Sequence, residues 1–266
     1  MGLVTALVAC GNQASLEVGP GEPDDGGNGK ADSAATRAEL KASISPSDIR
    51  RARYRLALLN ARSQERGVWF YDTLALELFD AGTILRGREI QGDDDDSTVK
   101  LRPFTRDQLA PQFRALDDLK CEIDRLPDTE TPSCSLKIKQ DEGEIAAVGR
   151  GTHAIDQLFS SEQEAMFAAY GPAIPLVALR ALGPIHVRVW TLRSEELPEK
   201  LTAELWYMPD GAQTLELSMK VDTDDADSGM AKLLHFIDDR GLTLDKEQES
   251  KTRRALEALV ATAQAE

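Results

Sequence analysis

Charged and apolar residues alternate with a period of two in run after run of this chain, the spacing that puts them on opposite faces of a strand. Arg37, Glu39 and Lys41 share one parity, as do Arg86 with Arg88, Thr98 with Lys100 and Arg102, and Lys120 with Glu122 and Asp124. Lys137 and Lys139 alternate with Leu136 and Ile138, and His186 and Arg188 with Val187 and Val189. Glu204 and Trp206 flank Leu205, and Glu216, Ser218 and Lys220 alternate with Leu215, Leu217 and Met219. These runs predict strands over 38–43, 68–73, 83–88, 98–102, 120–124, 135–139, 185–192, 202–208 and 214–221. Helical spacing predicts helices over 47–62, capped by Ser47, within 144–158, over 162–170, 228–240 and 245–263, with a turn or two over 74–80. The fold class is α+β: two groups of strands around a helical insert, with no short-period repeat.

Each strand thus has an apolar and a charged side, and the charged side is mainly cationic in a chain whose formal net charge is -15. An open sheet with one wet face would show the same alternation. The other reading is a closed sheet with its charges inward, where like charges repel by roughly 2–4 kcal/mol per close pair unless acids or a bound anion compensate. The overall negative charge excludes nucleic acid as a whole-surface partner. No apolar run approaches the length of a transmembrane helix.

Residues 1–10, MGLVTALVAC, resemble a truncated lipoprotein signal ending in the lipobox Leu7-Val8-Ala9-Cys10, although no Lys or Arg precedes the apolar stretch. Lipidation of Cys10 would make the chain a lipid-anchored envelope protein, periplasmic or associated with the outer membrane, touching membrane through the anchor only. Residues 11–35, rich in Gly, Pro and acidic residues, are expected to be a disordered tether, with the folded domain over 36–266. Cys121 and Cys134 then remain as an even pair. They flank a turn-rich segment and would come within bridging distance if the flanking runs form a hairpin; free buried thiols are the alternative.

Phe70-Tyr71-Asp72-Thr73, Leu78, Ala81-Gly82-Thr83-Ile84-Leu85-Arg86-Gly87-Arg88 and Thr98-Val99-Lys100 resemble the N-terminal half of CYTH proteins. This triphosphate-tunnel superfamily includes thiamine triphosphatases, inorganic triphosphatases and class IV adenylate cyclases. Val187-Arg188-Val189, Thr214 to Ser218 and the helix from Leu233 resemble the second half. The resemblance implies an antiparallel β-barrel of about eight strands with flanking helices, binding a triphosphate or polyphosphate and hydrolysing it with Mg²⁺ or Mn²⁺. The resemblance and the shared strand parity together make Glu39, Glu122, Glu204 and Glu216 the candidate metal ligands, Arg86, Arg88, Arg102, Lys137, Lys139 and Arg188 the candidate phosphate ligands, and Lys41 and Lys100 the candidate catalytic residues. The family's ExExK strand is matched by Arg37-Ala38-Glu39-Leu40-Lys41, with Arg37 in place of the first glutamate and Ser218 where a later one often stands. Those departures favour the rival reading, a degenerate tunnel that binds a phosphate-rich ligand without turnover. A purely structural lipoprotein fits if the charged sides face open solvent. Asp93 to Asp96 is expected to be a solvated acidic turn.

Overall fold

The computed structural model describes residues 4–5, 15–22, 37–248 and 251–264. Its strands are β1 (Val4–Thr5), β2 (Leu16–Pro20), β3 (Arg37–Ile44), β4 (Gln64–Asp72), β5 (Thr83–Ile90), β6 (Asp95–Leu101), β7 (Leu119–Leu126), β8 (Thr129–Gln140), β9 (Arg180–Ser194), β10 (Leu201–Tyr207) and β11 (Gln213–Asp222). The helices are α1 (Ile49–Arg55), α2 (Glu77–Asp80), α3 (Pro111–Arg114), α4 (Glu144–Gly149), α5 (Ser161–Tyr170), α6 (Ala226–Asp238) and α7 (Lys251–Ala263).

Nine strands close into a barrel in the order β9-β10-β11-β3-β7-β8-β6-β5-β4, with β4 pairing back onto β9. Closure leaves these strands without a free pair of edges. The expected antiparallel barrel of about eight strands is corrected on two points: there are nine, and β3 runs parallel to β7.

Alternation does set the two faces. On the outside, Leu40, Leu205, Leu217 and Met219 pack against Met230, Leu233 and Phe236 of α6. A second outer core joins Tyr71, Leu85, Val99 and Leu136 to Ile145 of α4 and Met166 and Phe167 of α5. Gly87 shows how tight this packing is, since a Cβ there would lie 2.8 Å from the Tyr71 hydroxyl and 3.0 Å from Ile145. Its two neighbours, Arg86 and Arg88, turn the other way, into the barrel. The third core lies on the inward side, where Val68, Phe70, Ile84, Val187, Val189 and Trp206 meet Ala255, Leu256 and Leu259 of α7.

Several boundaries differ from the sequence expectation. Leu16–Pro20, inside the expected tether, pairs with β9, and Val4–Thr5 of the signal-like segment pairs with β2. Val18 is buried and Gly21 sits so close to Val189 that no side chain would fit, which is what fixes this segment. Cys10 lies outside the described residues. The first helix begins at Ile49 and ends at Arg55; Ser47 bonds to Ser45, while Asp48 spends its carboxylate on Thr243. The acidic run is a turn only in part, because Asp95 and Asp96 belong to β6 and are buried. Asp95 accepts from the backbone N–H groups of Ile90 and Gly143, and Asp96 from Arg88. Among the described residues, no helix is long and apolar enough to cross a membrane.

Candidate functional site

The barrel encloses a channel of about 1040 Å³. Among the described residues, thirteen Lys and Arg against nine Asp and Glu line it, the reverse of the balance in the whole chain. Low dielectric walls make such an imbalance consequential, because charge removed from water must be answered locally.

At one part of the channel the answer is a lattice of lysines and carboxylates. The parallel pairing of β3 with β7 sets Glu39 beside Asp124, and the antiparallel pairing of β3 with β11 sets Lys220 beside Glu39. Lys41 Nζ lies 2.5 Å from Asp124 and 2.7 Å from Glu39. Lys100 Nζ lies 2.7 Å from Asp124 and 4.0 Å from Glu122, which Lys220 approaches to 3.3 Å. Burial pushes the Asp124 carboxyl up, but Lys41 and Lys100 outweigh it and hold the group well below its usual range. Glu39 is lowered likewise, burial being outweighed by Lys41 and Lys220. Burial pulls the Lys41 ammonium down, and Asp124 and Glu39 reverse this to hold it well above its ordinary value. Carboxylate oxygens of Glu39, Glu122 and Asp124 all lie within 4.8 Å of one another.

Along β5, β6 and β8 the lining is cationic with fewer acids. Arg86 stands opposite Thr98, and Thr98 opposite Lys137. All three face the channel, as do Arg102 and Lys120. Arg88 donates through Nε and Nη2 to Asp96, the closest contact being 2.5 Å. The Thr98 hydroxyl is buried between these cations with no hydrogen-bond partner.

Beyond this stretch the inward surface changes character. Arg66 reaches Glu204 at 3.8 Å, and the next inward positions are Val68, Val187 and Trp206. Here α7 enters the channel with Lys251, whose ammonium donates to Glu204 and, at 2.7 Å, to Glu216. Burial pushes Glu204 up, but Lys251 and Arg66 outweigh it and keep the carboxyl ionised far below its ordinary value.

Of the residues singled out in the sequence, Glu39, Lys41, Arg86, Arg88, Lys100, Arg102, Glu122, Lys137, Glu204 and Glu216 share this channel. Two expected phosphate ligands do not. Arg188 points to the outer side, donating to Ser63 and Glu65 and lying over Trp190, because the inward positions of β9 are the valines that α7 covers. Lys139 stands exposed near the end of β8, paired with Asp94. Glu204 and Glu216 share Lys251 and do not belong to the triad of Glu39, Glu122 and Asp124. Cys121 and Cys134 face each other across the β7–β8 hairpin and are joined in a disulfide. Asp124, Lys220, Arg66 and Lys251 were not among the residues the sequence assigned to the site. Asp124 has the parity of Glu122 and Lys220 that of Glu216, so both were open to the same reading.

No protein-family model and no curated protein matches the sequence. Solved structures do resemble the fold. A candidate adenylate cyclase from Bacillus halodurans is 13% identical, with a TM-score of 0.55 over 83% of this chain and 97% of that one. A candidate adenylyl cyclase from Hippeastrum, reported to have a dominant triphosphatase activity, is 16% identical, with a TM-score of 0.56 over 82% of this chain and 93% of that one. The closed barrel with flanking helices is the CYTH-type tunnel fold.

Proposed function

We propose that the channel binds a linear triphosphate or polyphosphate chain and hydrolyses it with the help of Mg²⁺ or Mn²⁺. The observation that carries this reading is the surplus of inward cations in a chain of net charge -15. A polyanion is the ligand class that would relieve their repulsion. Arg86 offers a planar fork to phosphate oxygens, Arg88, held by Asp96, adds a fixed positive charge, Lys100 and Lys137 add ammonium donors, and the Thr98 hydroxyl supplies a further donor already stripped of water. Lys41, held above its ordinary pKa, serves as a permanent cation and not as a base.

The donor set suits a hard divalent cation, since Glu39, Glu122 and Asp124 present carboxylate oxygens close together. Asp124 makes up for the carboxylate lost at Arg37. The three carboxylates are neutralised by Lys41, Lys100 and Lys220, so a cation is best accepted together with an anion that draws those lysines toward its own oxygens. When bound, the ion would screen the phosphate charge and acidify a water for in-line attack.

Binding without turnover is the second reading. It is supported by Arg37, which stands at the first glutamate position of the motif and is paired with Asp222. The envelope location through a lipid on Cys10 belongs to the same proposal, and the Cys121–Cys134 disulfide supports an oxidising compartment.

Phosphate release from tripolyphosphate with Mg²⁺ or Mn²⁺, compared between wild type and Lys100→Ala, tests the reading. Loss of one charge-assisted contact, about 1.5–3 kcal/mol, should lower the rate or affinity by about 10- to 100-fold. Tight binding with no metal-dependent release would leave the binder, and absence of both would end the phosphate reading.

A further inference from the structure

The antiparallel register of β10 and β11 sets Glu204 directly opposite Glu216, and both side chains face the channel. Two carboxylates so placed repel each other across the ladder. Glu216 is only 2% exposed, so water cannot disperse its charge. The arrangement therefore requires a cation between them, and the chain supplies one of its own. Lys251 Nζ donates to both carboxylates and lies 5.3 Å from the centre of the Trp206 ring, whose Nε1 donates to Glu204 at 3.0 Å. The lysine is carried in by α7, which Ala255, Leu256 and Leu259 anchor on the inward valines of β4 and β9.

We propose that Lys251 is a resident counter-cation that takes the place of a divalent ion between Glu204 and Glu216, so that docking of α7 and metal binding at this pair exclude each other. The inference rests on the proposed use of divalent cations by the channel and deepens it: metal is confined to Glu39, Glu122 and Asp124, and the channel operates with one ion fewer than its carboxylates would otherwise hold. Removing the ammonium takes away the charge that the two buried carboxylates share, with Arg66 still 3.8 Å from Glu204, and a dication of the right size replaces it.

The test counts Mn²⁺ bound to the full chain by equilibrium dialysis with non-hydrolysable imidotriphosphate present at one fixed concentration, following tryptophan emission for the paramagnetic quenching expected at Trp206. Lys251→Met should bind one Mn²⁺ more than wild type, with new quenching, and the extra ion should vanish in the double variant Lys251→Met, Glu216→Gln. Lys251→Arg, which keeps the charge, should match wild type. The same count on Lys251→Gln decides the matter if the methionine variant does not fold. An unchanged stoichiometry in the neutral variants overturns the inference. Failure of the underlying metal reading looks different, because wild type would then bind no Mn²⁺ whatever the count at position 251.

Discussion

Along β3, β7, β8, β6 and β11 the inward positions carry charge, whereas along β4 and β9, past Arg66, they carry Val68, Phe70, Val187 and Val189. The first wall is held by ion pairs around Asp124, the second by the apolar stripe of α7. A barrel interior is thus not of one kind. An inward side chain is charged where the channel stays open and apolar where α7 fills it.

The comparison breaks most sharply at Asp124. Replacing it with Asn removes the buried carboxylate that Lys41 and Lys100 share and leaves Lys41 to Glu39 and Lys100 to the more distant Glu122. Breaking buried pairs of this sort costs about 3–5 kcal/mol, which a lowered urea midpoint would register. A midpoint equal to that of wild type would mean that the charged wall contributes nothing to holding the barrel together.

Acid should separate the walls next. Asp124 and Glu39 titrate below their ordinary values of 3.8 and 4.5, so their contribution is complete above those values and is lost as pH falls through the folded-state ones. Lys41 titrates above its ordinary 10.5, so its contribution is complete below that value and is lost only as pH rises beyond it. Unfolding midpoints should therefore be flat from about pH 5 to 9 as far as this network is concerned, and fall below about pH 4. Protection of α7 itself, whose anchors Ala255, Leu256 and Leu259 do not ionise, should follow its ion pairs, Lys251 with Glu204 and Glu216 and Arg254 with Asp245. Hydrogen exchange across the pH range distinguishes a two-wall response from a uniform one.

The smallest effect is expected at Arg188. It is partly exposed, paired with Glu65 and outside the channel, so Arg188→Ala should change stability by about 1 kcal/mol or less and leave tripolyphosphate affinity within about twofold of wild type. A large loss of affinity would place this residue in the site after all and undo the division between the walls.

The alternation along Arg86-Gly87-Arg88, Thr98 to Lys100, Glu122 and Lys137 was enough to find the charged wall, because a period of two fixes relative facing whatever the register. It could not say which face is inside. For β9 the assumption that charge points inward fails, since Val187 and Val189 are claimed by a helix sixty or so residues further along the chain, and their role depends on that docking. Lys251 was unreadable for the same reason: nothing local distinguishes it from any lysine near the start of an amphipathic helix. Lys139 obeys the alternation but lies near the strand's end, at an exposed position beside Asp94. Asp124 was within reach, as it shares its parity with Glu122, but only the parallel pairing of β3 with β7 reveals that it meets Lys41.

The place of β3 between β7 and β11 also limits the order in which the molecule can be assembled. β3 emerges early in synthesis, yet its partners are β7 and β11, the latter ending at Asp222, so one of its edges waits for most of the chain to leave the ribosome. Ring closure is consequently a late event that joins the far ends of the sequence, the kind of topology that folds slowly and stays unfinished longest.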